Sequence, residues 1–135
     1  MSNFKLLVAT PHKVLFDNEA QSIVCKNDNG EFAILAGYEN MITATTPTKV
    51  IIIDSSGKEH EFFASGGIME VLDGEVSLCV DTIETREEID LTRAELSKKE
   101  SEENLKSTSG NKIDDMLLEL SLNRAIGRIE FKKNK

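Results

Sequence analysis

The residue pattern changes near Thr85, and this change limits the folds open to the chain more than any other feature of the sequence. Before that point, short runs of β-branched and aromatic residues are separated by turn residues, as in strands. After it, residues of high helix propensity take over and the β-branched runs stop. The pattern predicts a β domain over residues 1–85 and a helical domain over residues 86–135.

The first part reads as a set of short strands joined by turns. Nine runs have strand-like composition, at residues 4–9, 14–16, 21–26, 31–35, 41–45, 48–54, 60–64, 68–72 and 75–80. Turn residues at 28–30, 54–57 and 73–74 join neighbouring runs in the manner of β-hairpins. We therefore expect an antiparallel β-sandwich or flattened barrel of about nine to ten strands, in a mainly β protein of the α+β class.

Alternation along these runs indicates which residues face the core. A half-buried strand places every second side chain on the same face, so the larger apolar residues at alternate positions are expected to point inward. They are Phe32, Ile34, Val50, Ile52, Phe62, Met69, Val71, Val76 and Leu78.

The second part predicts a hairpin of two helices, interrupted at residues 107–111. Thr85 and Glu88 have the spacing of a capping box, which places the first helix over residues 87–106. The second helix is expected over residues 112–130. Its clearest apolar spacing is at Ile113, Met116, Leu117 and Leu120. Apolar positions are sparse in the first helix, so we expect a hairpin docked weakly enough to change position.

Charge and hydropathy exclude several classes of function. The 135 residues include 24 acids and 16 bases, a net charge of -8, which argues against unaided binding to nucleic acid or to an anionic membrane. No apolar run approaches the ~18 residues of a membrane span, and the amino terminus lacks the apolar stretch of a signal peptide. Residues 1–85 hold 13 acids and five lysines, whereas residues 124–135 hold five bases and one acid. We expect an acidic cytosolic protein that ends in a basic tip.

Candidate catalytic and metal-binding residues are scarce. His12 and His60 have no cysteine or carboxylate cluster of ligand spacing around them, and both are interpreted as solvated residues. Cys25 and Cys79 lie in strand-like runs, where buried, reduced and inert thiols are expected rather than a disulfide. The sequence predicts no catalytic residue, no metal site and no required cofactor, so we expect that the chain is not an enzyme.

Three segments of the first part together resemble a known family. They are residues 30–38 (GEFAILAGY), 65–71 (SGGIMEV) and 80–82 (VDT). In this order, and ahead of a helical hairpin, they resemble the epsilon subunit of bacterial F-type ATP synthase over about residues 3–130. Three residues depart from the Gly, Pro and His that are usual in the family, and these departures indicate a divergent member. They are Ala33, Ala36 and Tyr38.

Two segments of the second part resemble the ATP-binding members of that family. Residues 89–94 (IDLTRA) match the Ile-Asp-x-x-Arg-Ala motif of their first helix, and residues 124–128 (RAIGR) match the Arg-Ala-x-x-Arg of their second. A hairpin can fold the helix face shared by positions 124 and 128 toward Arg93, and converging guanidinium groups suit phosphate contacts. The resemblance implies a regulatory ATP site formed by Glu84, Ile89, Asp90, Arg93, Ala94, Arg124 and Arg128.

The same spacings are also common on solvated helices, where pairs of charges contribute little to stability. A further cationic position of the family, ten residues after Asp90, is Glu100 in this chain, which would weaken a phosphate contact. ATP as a regulatory ligand and a plain surface hairpin therefore both stay open at this point.

The resemblance implies a non-catalytic subunit of the rotor, in the central stalk that couples the catalytic head to the c-ring during proton- or sodium-driven ATP synthesis. The implied partners are the gamma subunit and the c-ring, and also the catalytic alpha and beta subunits when the hairpin is extended. The extended hairpin would inhibit ATP hydrolysis, and ATP would select the folded one. The implied location is peripheral, on the cytoplasmic face of the bacterial plasma membrane. The residues that family position implies for contacts with the c-ring or gamma are Asp28, Glu31, Gly37 and Tyr38. Asp28 and Glu31 are equally compatible with an ordinary solvated turn.

Two other classes of protein are compatible with the residues. A free-standing β-sandwich module with a helical interaction arm would bind a ligand in a concave polar site on its strands. A nucleotide-hydrolysing enzyme would need a general base or a metal site near the arginines. Lack of affinity for a gamma partner would favour the first class, and ATP turnover by the isolated chain would favour the second.

Overall fold

A computed structural model of the chain describes residues 2–106 and 112–133, which form nine strands followed by two helices. The predicted fold class, a mainly β domain followed by a helical hairpin, is confirmed. The chain divides into a sandwich unit, Met1–Glu84, and a hairpin unit, Thr85–Lys135. The predicted interruption at residues 107–111 and the side chain of Ile113 lie outside the described residues.

The elements are β1 (Phe4–Ala9), β2 (Val14–Asn27), β3 (Gly30–Leu35), β4 (Met41–Thr45), β5 (Thr48–Asp54), β6 (Glu59–Ala64), β7 (Gly67–Leu72), β8 (Glu75–Val80), β9 (Ile83–Glu84), α1 (Leu91–Lys106) and α2 (Lys112–Lys133).

The strands form one hydrogen-bonded sheet in the order β4-β7-β8-β1-β2-β5-β6-β9, and β3 also pairs with β2. The long strand β2 joins the two halves of this sheet, because its first half pairs with β1 and its second half pairs with both β3 and β5. Antiparallel pairing was expected and is found throughout the described sheet, with the exception of the parallel pair β1 and β8.

Two details of the strand prediction are wrong. The runs at 14–16 and 21–26 are parts of one strand, because the polar residues between them pair through their backbone with β1, and this pairing overrides their low strand propensity. The short strand β9 was not predicted. Its two residues follow the Val80-Asp81-Thr82 segment and pair with Phe63 and Ala64 of β6.

The core of the sandwich is built by the alternation that the sequence predicts. Eight of the nine residues predicted to face inward are buried, and the ninth, Phe32, is half-buried and packs against the same core. Both halves of the sheet contribute, for example Leu6 and Leu78 from one half and Ile23 and Ile52 from the other. Burial of these side chains is the main stabilising contribution to the unit.

The structure accounts for two glycine-containing motifs, the Asp73-Gly74 turn and the Ser-Gly-Gly motif at the start of β7. The β7–β8 turn has positive φ at both Asp73 (51°) and Gly74 (81°), which is the geometry of a tight two-residue hairpin turn. A Cβ at Gly67 would overlap the carbonyl oxygen of Cys79 and the Cα of Val80, so only glycine fits the close approach of β7 to β8. The second glycine of the Ser-Gly-Gly motif is therefore a packing requirement.

Helix α1 begins at Leu91 rather than near Glu87. The Thr85–Glu88 pair does form half of a capping box, since the Thr85 amide donates to the Glu88 carboxylate at 2.9 Å, but the residues between them form a turn. The cap of α1 is Asp90, whose carboxylate accepts from the Arg93 amide at 3.1 Å. Helix α2 continues to Lys133, three residues beyond the predicted end.

Candidate functional site

The first part of the candidate nucleotide site is the segment that enters α1. Asp90 and Arg93 are exposed, whereas Ile89 and Ala94 are buried. The Asp90 carbonyl also accepts from the Ala94 amide at 3.0 Å, which is the first backbone hydrogen bond of the helix. The motif residues at 89–94 therefore have a structural role at the start of α1, whether or not a ligand is bound.

The second part of the site lies on α2. Arg124 and Arg128 are half-buried, and Ala125 between them is buried. The spacing of four residues places both arginines on one face of α2, as the sequence predicts. The Nε atom of Arg124 is enclosed by protein, so its guanidinium is oriented by packing.

The two helices pack against each other, and one ion pair between them indicates their register, that is, which residues of α1 lie beside which residues of α2. Lys133 Nζ lies 3.6 Å from Glu95 Oε1, which brings the end of α2 beside the start of α1. In an antiparallel pair, moving five residues along each helix then places Arg128 level with Glu100. Arg128 is thus offset from Arg93 by seven residues, about 10 Å at 1.5 Å per residue.

This register also gives the position of Arg124 along the hairpin. Arg124 lies a further turn along the hairpin, about 6 Å beyond Arg128. The backbone positions of the three arginines therefore form a strip along the hairpin, at intervals of about 6 and 10 Å. Arginine side chains are long, so such a strip suits an extended polyanion, whose charges are distributed, better than a single phosphate. Glu84, the remaining residue of the set, lies in β9 and belongs to the sandwich unit.

Arg86 is a residue of the hairpin whose role sequence reasoning missed. Its Nε donates to the carbonyl oxygen of Phe131 at 3.0 Å, and its guanidinium carbon lies 4.4 Å from the centre of the Phe131 ring. In return, Lys132 Nζ donates to the carbonyl oxygen of Arg86. The end of α2 is thereby bonded to the turn that precedes α1. No local sequence pattern relates residues that are 45 positions apart. The only signal was the pair of lysines in the last turn of α2, because cations at a helix end are suited to contacts with carbonyl groups.

A second missed feature lies on the sandwich unit. Ile42 is opposite Glu70 in the register of β4 and β7, so alternate residues of the two strands share one outward face. Ile42 is 68% exposed, Ile68 52% and Leu72 53%. We call this set, with Glu70 among it, the outer apolar face. Three large aliphatic side chains left in water on adjacent strands are typical of a protein contact surface.

The four residues assigned to subunit contacts lie in two separate turns. Asp28 and Glu31 are exposed at the β2–β3 turn, and Gly37 and Tyr38 are exposed beyond the other end of β3. Strand β3 has six residues, so the two turns are about 20 Å apart. Gly37 has φ 83°, and the Tyr38 amide donates to the Leu35 carbonyl at 3.3 Å, so the turn keeps glycine where the family does despite its altered neighbours.

Two sequence interpretations in the sandwich unit are corrected by the structure. His60 is half-buried rather than solvated, and its Nε2 lies 2.8 Å from Asp54 Oδ2. Hydrogen bonds from His60 and then Ser56 hold the pKa of Asp54 well below its usual range. Cys79 is exposed, because its neighbours Leu78 and Val80 take the inward positions of β8. Cys25 is buried as expected, and burial raises the pKa of its thiol to about 11.

Neither α1 nor α2, as far as they are described, has an apolar stretch long enough to cross a membrane. Within residues 2–106 and 112–133, no three acidic, histidine or cysteine side chains are grouped as metal ligands would be.

Two family models match the chain in succession. The model for the β-sandwich domain of the ATP synthase delta/epsilon chain matches residues 3–86, and the model for the long α-helix domain of the same chain matches residues 87–133. Together these matches extend over nearly the whole sequence and divide it close to the boundary between the two units.

Curated relatives and solved structures agree with the family models. The chain is 45% identical over 116 residues to the ATP synthase epsilon chain of Clostridium perfringens strain SM101, covering 86% of this chain and 84% of that one. It is 41% identical over 128 residues to the ATP synthase epsilon chain of Clostridium novyi strain NT, and this match covers 95% of this chain and 96% of that one. A chain in the mitochondrial ATP synthase of Euglena gracilis shares its fold with a TM-score of 0.77 at 21% identity, covering 93% of this chain and 78% of that one. A chain in the central stalk and c-ring structure of the Tetrahymena thermophila mitochondrial ATP synthase has a TM-score of 0.66 at 13% sequence identity. That match covers 96% of this chain and 96% of that one.

Proposed function

The chain belongs to the ATP synthase delta/epsilon family, as an epsilon chain, and from this membership we propose that it is a non-catalytic subunit of the rotor of a bacterial F-type ATP synthase. In this role it joins the gamma subunit to the c-ring on the cytoplasmic face of the plasma membrane and takes part in ion-driven ATP synthesis. The proposal is supported by the match along both units and by structural neighbours that come from c-ring and central-stalk assemblies.

The outer apolar face is the observation that carries the docking part of this proposal. Ile42, Ile68 and Leu72 are exposed side chains of the sandwich unit, and a partner is the simplest way to remove them from water. The face is continuous with outward residues of β8, since Cys79 lies opposite Ile68. We assign this surface to the gamma subunit.

The two turns at the ends of β3 extend the docking proposal to a second partner. A separation of about 20 Å allows one turn to contact the c-ring while the other contacts gamma. The Tyr38 turn belongs with the gamma side, because the loop after it is bonded to the β7–β8 turn. The Asp73 amide in that turn donates to the Asn40 side-chain oxygen at 2.9 Å. The acidic turn with Asp28 and Glu31 is then the c-ring contact.

The hairpin unit is proposed to be the regulator. Folded, its helices pack against each other as in the structure; extended, it would reach the catalytic alpha and beta subunits and inhibit ATP hydrolysis. Bound ATP would favour the folded state, because only paired helices bring Arg93 to the same strip as Arg124 and Arg128, and a ligand shifts an equilibrium only by its different affinity for the two states. No other cofactor is required by this proposal.

Binding to the cognate gamma subunit tests the docking proposal. We expect tight binding of the full chain and at least about tenfold weaker binding of Ile42→Asp, because the new carboxylate would be buried without a partner. Ser55→Asp adds the same charge to an exposed turn on the other half of the sheet and is the matched control. Absence of binding by the unaltered chain would favour the free-standing ligand-binding module instead.

A further inference from the structure

Arg86 and the last turn of α2 exchange hydrogen bonds in both directions. The Arg86 side chain donates to the Phe131 carbonyl at 3.0 Å, and the Lys132 side chain donates to the Arg86 carbonyl. The Arg86 guanidinium also stacks on the Phe131 ring, 4.4 Å from its centre, and Phe131 is buried. We call these three residues the hairpin latch.

The chemistry of the latch is suited to holding a helix end. The last carbonyls of a helix lack partners within the helix and carry partial negative charge, so a fixed cation is favourable there. A planar guanidinium can donate to a carbonyl and stack on a ring at the same time, whereas a lysine ammonium can do only one of these well. Arg86 therefore makes a contact that another cation would not reproduce.

We propose that Arg86 is a positioning residue that fastens the end of α2 to the segment entering α1, and so fixes the level of Arg124 and Arg128 relative to Arg93. The proposal rests on the regulatory function given above and names the contact that must break when the hairpin opens. Arg86 itself contributes no group to the proposed phosphate strip.

The latch also determines when the basic tip is available. In the folded hairpin Lys132 is bonded to Arg86, and Lys133 is paired with Glu95 at 3.6 Å. Opening the latch releases both lysines together with Arg86. The open state therefore presents three additional cations to an acidic partner, while the closed state keeps them occupied with groups of the hairpin itself.

Spin-label distances in the isolated full chain test the latch without nucleotide or partner subunits. Labels on cysteines at Leu96 and Glu130, both exposed, report the separation of α1 and α2. The background carries Cys79→Ser, because Cys79 is exposed and Cys25 is buried. We expect one short, narrow distance distribution for the chain with Arg86 intact.

Arg86→Gln is expected to increase the ratio of separated to paired helices about tenfold, the effect of losing one charge-assisted hydrogen bond. Arg86→Lys should give an intermediate ratio, because it keeps the charge without the planar group, and Phe131→Tyr should keep the closed distribution. Lys99→Gln removes an exposed charge from the same unit and is the matched control. Identical distributions for Arg86→Gln and the unaltered chain would overturn the proposal.

Two further measurements make the outcome decisive. If Arg86→Gln loses helical circular dichroism, Phe131→Ala is used as the test variant, because it removes the stacking and keeps the carbonyl acceptor. A distance distribution for Phe131→Ala that equals that of the unaltered chain overturns the latch. Adding ATP to Arg86→Gln tests the regulatory function separately, because only this chain has separated helices for ATP to close, and it keeps all three arginines of the strip. ATP that does not shift its distribution toward the short distance removes ATP regulation and leaves the latch in place.

Discussion

The carboxylate of Asp90 accepts a hydrogen bond from the backbone amide of Arg93 at 3.1 Å, so two residues of the proposed nucleotide site are bonded to each other. Asp90 is the cap of α1, and Arg93 presents its side chain from the first turn. The start of α1 is therefore organised by hydrogen bonds of the chain itself, which would reduce the ordering that the proposed ATP binding requires.

Substitution of Asp90 tests its role as the cap of α1. Asp90→Ala should destabilise the first turn of α1 by about 1 kcal/mol, whereas Asp90→Asn keeps a side-chain acceptor and should cost little. Hydrogen exchange of the Arg93 amide measures this difference, and we expect exchange about fivefold faster in Asp90→Ala only. Glu87→Ala, in the preceding turn, is the control. Equal exchange in all four chains would show that the cap is not needed.

Calorimetric titration of ATP tests the arginine strip. Arg93→Ala and Arg124→Ala should each weaken ATP binding about ten- to hundredfold, because each removes hydrogen bonds between charged groups. Glu100 lies level with Arg128, so Glu100→Arg should tighten binding by extending the strip. Glu102→Arg adds the same charge at an exposed position two residues on, about 200° around the helix, and should not. Equal affinities for Glu100→Arg and Glu102→Arg would contradict the register.

The sequence was sufficient for the core residues of the sandwich, but it did not predict strand β9, the continuous strand β2 or the contacts within the hairpin. Alternation identified Val76 and Leu78 as inward residues, and the same alternation required Cys79 to face outward, although its apolar surroundings suggested burial. The level of Arg128 beside Glu100 depends on how two helices pack, and the Arg86–Phe131 contact joins residues 45 positions apart. Neither is encoded in local spacing, because both follow from tertiary packing.

The two cysteines should differ strongly in reactivity. Burial raises the pKa of the Cys25 thiol to about 11, which leaves very little thiolate near neutral pH, whereas Cys79 is exposed. Titration with a disulfide reagent should detect one thiol in the native chain and two after unfolding, and none in native Cys79→Ser. Since Cys79 lies opposite Ile68, bound gamma should protect it. Undiminished labelling of Cys79 in the gamma complex would contradict the assignment of the outer apolar face.

The Asp54–His60 pair predicts a pH dependence of stability. The hydrogen bond from His60, followed by that from Ser56, lowers the pKa of Asp54 in the folded chain. A lowered pKa means that the stabilising contribution is present above the unfolded value, about pH 4, and is lost as the pH falls further. Asp54→Asn should therefore be less stable than the unaltered chain at pH 6, with the difference shrinking toward pH 3.

Chemical denaturation at the two pH values measures this difference in the free energy of unfolding. Asp28→Asn, which neutralises an exposed carboxylate in the β2–β3 turn, is the control and should match the unaltered chain at both. A difference between Asp54→Asn and the unaltered chain that stays constant from pH 6 to pH 3 would show that the carboxylate's charge is not what stabilises the β5–β6 turn.

ATP hydrolysis by the cognate catalytic head, assembled with gamma and supplied with this chain, tests the regulatory rotor function most directly. The account predicts that the full chain binds, slows hydrolysis at low ATP, and releases this inhibition as ATP rises. A chain carrying both Arg93→Ala and Arg124→Ala should bind equally well and remain inhibitory at high ATP. Identical ATP dependence of inhibition by the two chains, or no effect of either on hydrolysis, would contradict the account.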